Sequence, residues 1–209
     1  MAGAGGIAFA LCLVVGFTFF GPRGGLYEAS AVANFVGQTP SSVAASLYLF
    51  AIAALGLVVL MGYLSETYLS SRRHERLAWG TSLLAATTFL IGWGVYFAPS
   101  VALASGGPGI DPAISYTFTS AGMVVLFGVG GLLLGTALLT LAIAARESPM
   151  WVRGFNGLVG LAAVASLAFI VMSRWSPNQW LPVPFYLVAL WGLVVGVWLV
   201  VSSPRTAST

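Results

Sequence analysis

Apolar residues in this chain neither alternate nor recur every third or fourth position. They form six long runs, at 5–20, 43–64, 77–97, 116–144, 154–172 and 184–201. A hydrocarbon core is crossed by roughly 20 helical residues, and a helix is the one single-segment structure that satisfies its own backbone polar groups in lipid. The pattern therefore predicts six transmembrane helices. The first and fifth runs are slightly short, whereas the fourth is long enough that it must tilt or extend beyond the hydrocarbon.

Between the runs lie start signals. Thr39-Pro40, Asp111-Pro112, Ser148-Pro149 and Ser176-Pro177 each put a capping side chain before a proline. The oxygen accepts an orphan N–H of the first turn, and proline at the next position sacrifices no helical hydrogen bond. Pro182 and Pro184 predict a short turn before the sixth helix. The linkers are too short for a second domain, so residues 1–209 read as one all-α, six-helix bundle. In the linker 21–42, Leu26, Ala29, Val32, Ala33 and Val36 recur at helical spacing beside Glu28, Asn34 and Gln38, the pattern of an interfacial helix.

Composition agrees with lipid as the solvent: 59% of residues are hydrophobic and 6% charged, which cannot build a water-facing surface. The eight basic residues are all arginine and give a formal net charge of +3, but they lie between or beyond the apolar runs. Nucleic-acid binding would need a soluble basic face. Counting arginines loop by loop gives orientation instead. Arg72, Arg73 and Arg76 follow the second run, Arg146 and Arg153 follow the fourth, and Arg205 follows the last; only Arg23 and Arg174 fall on the other side. This predicts a multi-pass cell-membrane protein with both termini cytoplasmic. Met1 to Phe20 lacks a basic leader and a small-residue cleavage site, so it reads as a retained first helix.

Metal and cofactor chemistry has little material. The single histidine, His74, lies in the cytoplasmic arginine turn, and the single cysteine, Cys12, lies in the first apolar run. Neither has companions for a zinc, haem or iron–sulfur site, and no metal or cofactor is expected. Without lysine there is no Schiff base and no P-loop. The glycines at 128, 130 and 131 sit inside an apolar run and do not follow a strand, so Gly128, Gly131 and Gly135 are expected to pack helices closely. No ionisable group falls in the middle of a run, which argues against ion-coupled transport. Glu66, at the cytoplasmic end of the second helix, is expected to pair with Arg72, Arg73 or Arg76, and those three arginines to meet anionic inner-leaflet lipid.

The extracytoplasmic end holds Arg23, Glu28, Asp111 and Arg174, with Asn34 and the aromatics Trp93, Tyr96, Tyr116, Trp175 and Trp180 at similar depth. Such a ring is the general form of a small-ligand mouth, and these ten residues are the candidate ligand site. The same positions would equally form an interfacial aromatic belt with inter-loop salt bridges.

Certain motifs carry a resemblance: Phe20-Gly21-Pro22, Ala31-Val32-Ala33-Asn34-Phe35, Pro149-Met150-Trp151-Val152-Arg153-Gly154-Phe155-Asn156-Gly157, Leu190-Trp191-Gly192 and Val197-Trp198-Leu199-Val200. With them the chain resembles a widespread family of small six-helix bacterial membrane proteins of unknown function. The resemblance implies the architecture and supplies no mechanism. Lacking buried acids and bases, the chain is expected to be a non-enzymatic accessory or scaffold subunit, with membrane lipids and other subunits or further copies of itself as partners. The alternative is a binder of, or acid–base enzyme acting on, a lipid, quinone or isoprenoid-like molecule at the extracytoplasmic mouth, with Glu28, Asp111 and Glu66 as the acids available.

Overall fold

The computed structural model describes residues 1–20, 40–104, 111–172 and 183–202. The expected interfacial helix in the 21–42 linker lies outside the described helical residues. Among the described residues the structure is all-helical, with no strand. In chain order come α1 (Ala2–Phe20), α2 (Pro40–Tyr68), α3 (Arg72–Ala104), α4, α5 (Met150–Met172) and α6 (Val183–Ser202). α4 has three continuous parts, an α-helical Pro112–Met123, a π-helical Val124–Gly130 and an α-helical Gly131–Ala144.

Five helices are long and apolar enough to cross a membrane, through Ala44–Tyr68, Arg72–Pro99, Ala113–Ala144, Met150–Ala168 and Pro184–Ser202. The apolar stretch of α1, Ala2–Gly16, is shorter, although α1 as a whole has 19 residues. At 1.5 Å per residue the 32-residue stretch of α4 is about 48 Å long, so it outruns a core of about 30 Å, as its apolar run implied.

The helices extend past the apolar runs at most ends. α2 and α3 are separated only by Leu69–Ser71, so Arg72, Arg73 and Arg76 occupy the opening turns of α3 rather than a loop. Arginine is disfavoured at a helix N-terminus by the macrodipole; Glu75 in the same turn offsets part of that. The α2–α3 turn is held by backbone bonds, Leu69 N–H to Ser65 O (3.3 Å) and Glu75 N–H to Ser71 O (3.0 Å). Glu66 and the three arginines are each exposed. Likewise Arg153 belongs to the first turn of α5, where its Nε–H donates to Ala142 O (3.1 Å) and ties α5 to the end of α4.

Two of the proline signals can be compared directly. Asp111 caps α4 as its sequence implies, Oδ1 accepting from Ala113 N–H (2.7 Å) with Pro112 at the first helical position. Ser148 departs from expectation: its hydroxyl donates back to Ala145 O (2.8 Å), because the turn leaving α4 supplies a nearer partner. Pro184 lies within the first turn of α6, where a missing N–H costs nothing. Pro99 is buried inside α3 and removes the N–H that Val95 O would have received.

The helices form a ring in chain order. Each packs on the next, and α6 closes on α1. Approaches of α2 to α4 and to α6 across the ring close its centre, which Leu57, Leu60, Met61, Leu64, Leu134, Leu138, Leu141, Trp191 and Val195 fill. Side chains such as Leu55, Leu84, Ile91, Ile143, Leu161 and Val201 face outward, so the helices are apolar on both sides, as lipid requires.

Glycines set the close approaches. A Cβ on Gly3 would stand 2.6 Å from Gly196 O, and one on Gly6 would stand 2.8 Å from Gly192 O, so α1 and α6 touch backbone to backbone. On the other flank of α1 a Cβ on Gly56 of α2 would lie 2.5 Å from Gly5 O. Gly122 of α4 meets Gly92 O of α3 (2.8 Å), and Gly135 of α4 meets Gly160 O of α5 (2.7 Å). The expected packing role of Gly131 and Gly135 is met on α5, where a Cβ on Gly131 would be 2.9 Å from Ala163 O.

Candidate functional site

Two ends of the bundle differ in chemistry. Among the described residues, Glu66, Arg72, Arg73, His74, Glu75, Arg76, Arg146, Glu147 and Arg153 all lie at the end where α2, α4 and α6 finish. Asp111 is the one described charge at the opposite, aromatic end. Among the described residues no three histidine, cysteine, aspartate or glutamate side chains are grouped so that they could hold a metal ion.

Of the ten candidate ligand residues, Arg23, Glu28, Asn34, Arg174, Trp175 and Trp180 lie outside the described residues. The other four are placed but not all together. Trp93 and Tyr96 of α3 are both buried. Trp93 stacks flat on Phe50 of α2, centroids 3.8 Å apart and planes within 1°, and its ring neighbours also include Phe97 at 5.7 Å and Tyr96 at 5.6 Å. Tyr96 meets Phe97 edge-on at 4.7 Å. The edge-on Trp93–Tyr96 and Tyr96–Phe97 contacts are of the kind that contributes about 0.5–1.5 kcal/mol each beyond the area buried. Asp111 is exposed and its Oδ1 is engaged as the cap of α4. Tyr116 is half-buried one turn into α4.

Below this group lies a second aromatic layer, absent from the sequence-level set. Phe185, in the first turn of α6, packs edge-on against Phe127 of α4 (4.5 Å) and Phe89 of α3 (5.3 Å). Phe127 lies in the π-helical part of α4, where the widened i→i+5 turn misaligns carbonyls with their usual partners. The Ser166 hydroxyl of α5 lies between one of them, Phe127 O, and Ala163 O of its own helix, either of which it can donate to. The Cβ of an alanine at Gly131 would meet that Ser166 oxygen, so the small residue, the π turn and the serine form one local solution.

Buried polar groups fall into two sets. Ser166, Ser82, Ser148 and Asn156 hold partners: Ser82 donates to Ala78 O (2.6 Å), and the Trp191 indole N–H of α6 donates to Asn156 Oδ1 of α5 (2.6 Å). Among the described residues four buried hydroxyl oxygens have none, those of Ser46, Ser65, Ser115 and Ser120. Ser65 is at the arginine end; Ser46 of α2 and Ser115 and Ser120 of α4 are at the aromatic end. An unpaired buried hydroxyl costs about 1–3 kcal/mol, so three at one end are chemically conspicuous. Sequence reasoning missed them because serine inside a membrane helix ordinarily bonds the carbonyl four residues back, as Thr81, Thr87, Thr117, Thr136 and Thr140 do here.

Arg72, Arg73 and Arg76 all point outward at the arginine end, an arrangement suited to anionic headgroups. Compared with known proteins, the chain matches no family model, no curated protein and no solved structure.

Proposed function

We propose that this chain is a six-span protein of the cell membrane with both termini cytoplasmic, acting as a non-enzymatic accessory or scaffold subunit of a membrane assembly. The observation that carries the reading is the chemistry of the interior. Among the described residues the buried polar side chains are serine, threonine and asparagine, with the polar ring atoms of Trp93, Tyr96 and Trp191, and none is a carboxylate, histidine or arginine, the groups that acid–base or ion-coupled work at pH 7 ordinarily uses. The interior polar groups that do have partners hold helices to one another or to themselves. α1, with 19 residues and backbone contact to both α2 and α6, supports a sixth span. The clustering of arginines at one end supports the orientation, and Arg72, Arg73 and Arg76 there would contact inner-leaflet lipid.

Purification in mild detergent followed by native mass spectrometry tests the subunit reading. A stoichiometric partner chain or a defined homo-oligomer is expected; a bare monomer would overturn it. For orientation, single cysteines replacing Ser71 and Asp111 in a Cys12→Ala background would be exposed to a membrane-impermeant maleimide. Labelling of Asp111→Cys on intact cells, and of Ser71→Cys only after permeabilisation, is expected. The reverse pattern would sink the assignment.

A second reading, binding of an apolar small molecule at the aromatic end, is favoured by the unpartnered hydroxyls of Ser46, Ser115 and Ser120.

A further inference from the structure

The charged end of the bundle joins turns that are far apart in sequence. α3 and α4 run antiparallel, and close contacts set their register: a Cβ on Gly92 would meet Leu126, and one on Gly130 would meet the ring of Phe89. Ala78, Leu134, Ala137, Leu141 and Ala145 are buried along the rest of the pair, and the closing part of α4 still packs on α3. Continued down the two helices, that register brings Arg76 about level with Ala142 and Arg72 about level with Arg146. From the α5 side, the Arg153 side chain reaches the same level, its Nε–H donating to Ala142 O (3.1 Å). Five arginines, from α3, α5 and the turn between α4 and α5, therefore stand at the end of α4.

Arg153 differs from the others. Arg72, Arg73, Arg76 and Arg146 are exposed, whereas Arg153 is half-buried and its guanidinium is tethered through Nε to a backbone carbonyl. The tether leaves the two terminal amino groups, which together form a fork that fits two oxygens of a phosphate. No described carboxylate pairs with Arg146 or Arg153, although Glu147 lies between them in sequence. Depth then selects the kind of anion. Ala142 and Arg153 belong to the apolar stretches Ala113–Ala144 and Met150–Ala168, each within one turn of the charged end, so the tethered guanidinium stands where hydrocarbon meets headgroup. Beside it Ile143, Met150 and Trp151 are exposed, an apolar surface suited to acyl chains. Trp151 is braced edge-on by Trp198 at 5.6 Å, and an indole at this depth is a common interfacial anchor.

We infer that Arg153, with Arg146, binds the phosphate of a net-anionic phospholipid in the leaflet on the arginine side, the acyl chains lying along Ile143 and Trp151. The inference rests on the lipid contact proposed above for Arg72, Arg73 and Arg76 and deepens it. Those three supply general attraction to an anionic leaflet; the tethered Arg153 supplies an oriented contact. A zwitterionic headgroup would bring its own cation to an end where five described arginines face three described glutamates, Glu66, Glu75 and Glu147, so it binds less well. Soluble phosphate has no acyl chains to place on the apolar surface.

The test titrates the full chain in mild detergent with phosphatidylglycerol or phosphatidylcholine of the same acyl chains and counts bound lipid by native mass spectrometry. Phosphatidylglycerol is expected to saturate one site more tightly than phosphatidylcholine, and a large excess of inorganic phosphate should not displace it. Arg153→Gln should weaken binding about tenfold, the scale of a charge-assisted hydrogen bond. Arg153→Lys keeps the charge and loses the fork, so it should behave like Arg153→Gln. Arg146→Gln alters an exposed side chain that ties no helix and should weaken binding about fivefold. Unchanged binding in Arg146→Gln overturns the site, whether or not the Arg153 variants fold. In that event, loss of binding in a variant with Arg72, Arg73 and Arg76 all replaced by Gln leaves the lipid contact of α3 standing, and parental binding in it removes both. Displacement by inorganic phosphate, or equal binding of phosphatidylcholine, overturns the assignment to an anionic phospholipid.

Discussion

Replacing Gly56 by alanine places a methyl carbon 2.5 Å from Gly5 O and 2.9 Å from Phe9 N. Both obstacles are backbone atoms of α1, so no side chain can swing away. Comfortable separations are about 3.5–4.0 Å, which requires α1 and α2 to part locally by about 1 Å. A gap of that size forfeits a quarter to a half of each dispersion contact across it, and overpacking of this kind costs about 1–3 kcal/mol. Alanine also raises helix propensity by about 0.8–1 kcal/mol over glycine, which masks part of the loss. Gly94→Ala removes the ambiguity, because a Cβ there meets nothing within 4 Å and carries the propensity term alone. The two variants should therefore differ by about 1–3 kcal/mol, with Gly94→Ala at or above the parent and Gly56→Ala below it. SDS-titrated unfolding in mild detergent measures both. Equal stability of the two variants, or a more stable Gly56→Ala, would refute backbone contact between α1 and α2.

Asn156→Leu leaves the Trp191 indole N–H without its acceptor, and a double-mutant cycle with Trp191→Phe should return a coupling of about 0.6–1.7 kcal/mol, the range for hydrogen bonds in membrane proteins; additive losses would deny the bond. Ser166→Ala removes the donor to Phe127 O, so amide hydrogen exchange across Val124–Gly130 should accelerate, and an unchanged rate would show that the π turn stands without it. Phe50→Leu removes the ring that lies flat on Trp93 and should reduce the near-ultraviolet circular dichroism of Trp93; an unaltered spectrum contradicts the stack.

How much of this was readable from sequence depends on whether a feature is local. Apolar run length is local, so five helices long and apolar enough to cross a membrane stand where the runs lie, and the cap at Asp111 is legible because its partner is two residues away. Gly131 and Gly135 were legible through their own spacing. Gly3 and Gly6, in contrast, gain meaning only opposite Gly192 and Gly196, at the far end of the chain. Depth along the chain places Trp93 and Tyr96 at the outer mouth, but neighbouring aromatics at one depth look alike whether open or packed, and Phe50, which covers Trp93, is in no local pattern. The π turn was also hidden, since Val124–Gly130 has the composition of any apolar helix and its register is fixed by Ser166 from another one. Asn156 was a missed signal: an amide in an apolar run is expensive unless bonded, so a partner such as Trp191 could have been sought.

The interfaces around the ring are not equivalent, and the difference bears on where it can yield. α1/α2, α1/α6, α3/α4 and α4/α5 each contain a glycine whose added Cβ would strike the opposite backbone. Dispersion at that range is lost with small separations, so these seams are stiff. α2/α3 is joined by the flat Phe50–Trp93 stack. At α5/α6 the described links are side-chain ones, the Asn156–Trp191 bond and the edge-on Trp151–Trp198 pair at 5.6 Å. A single hydrogen bond in apolar surroundings fixes which faces meet more than it adds strength. The α5/α6 seam is thus the compliant side of the ring. A subunit docking on α6 would meet the side of the ring that can adjust without breaking a backbone contact.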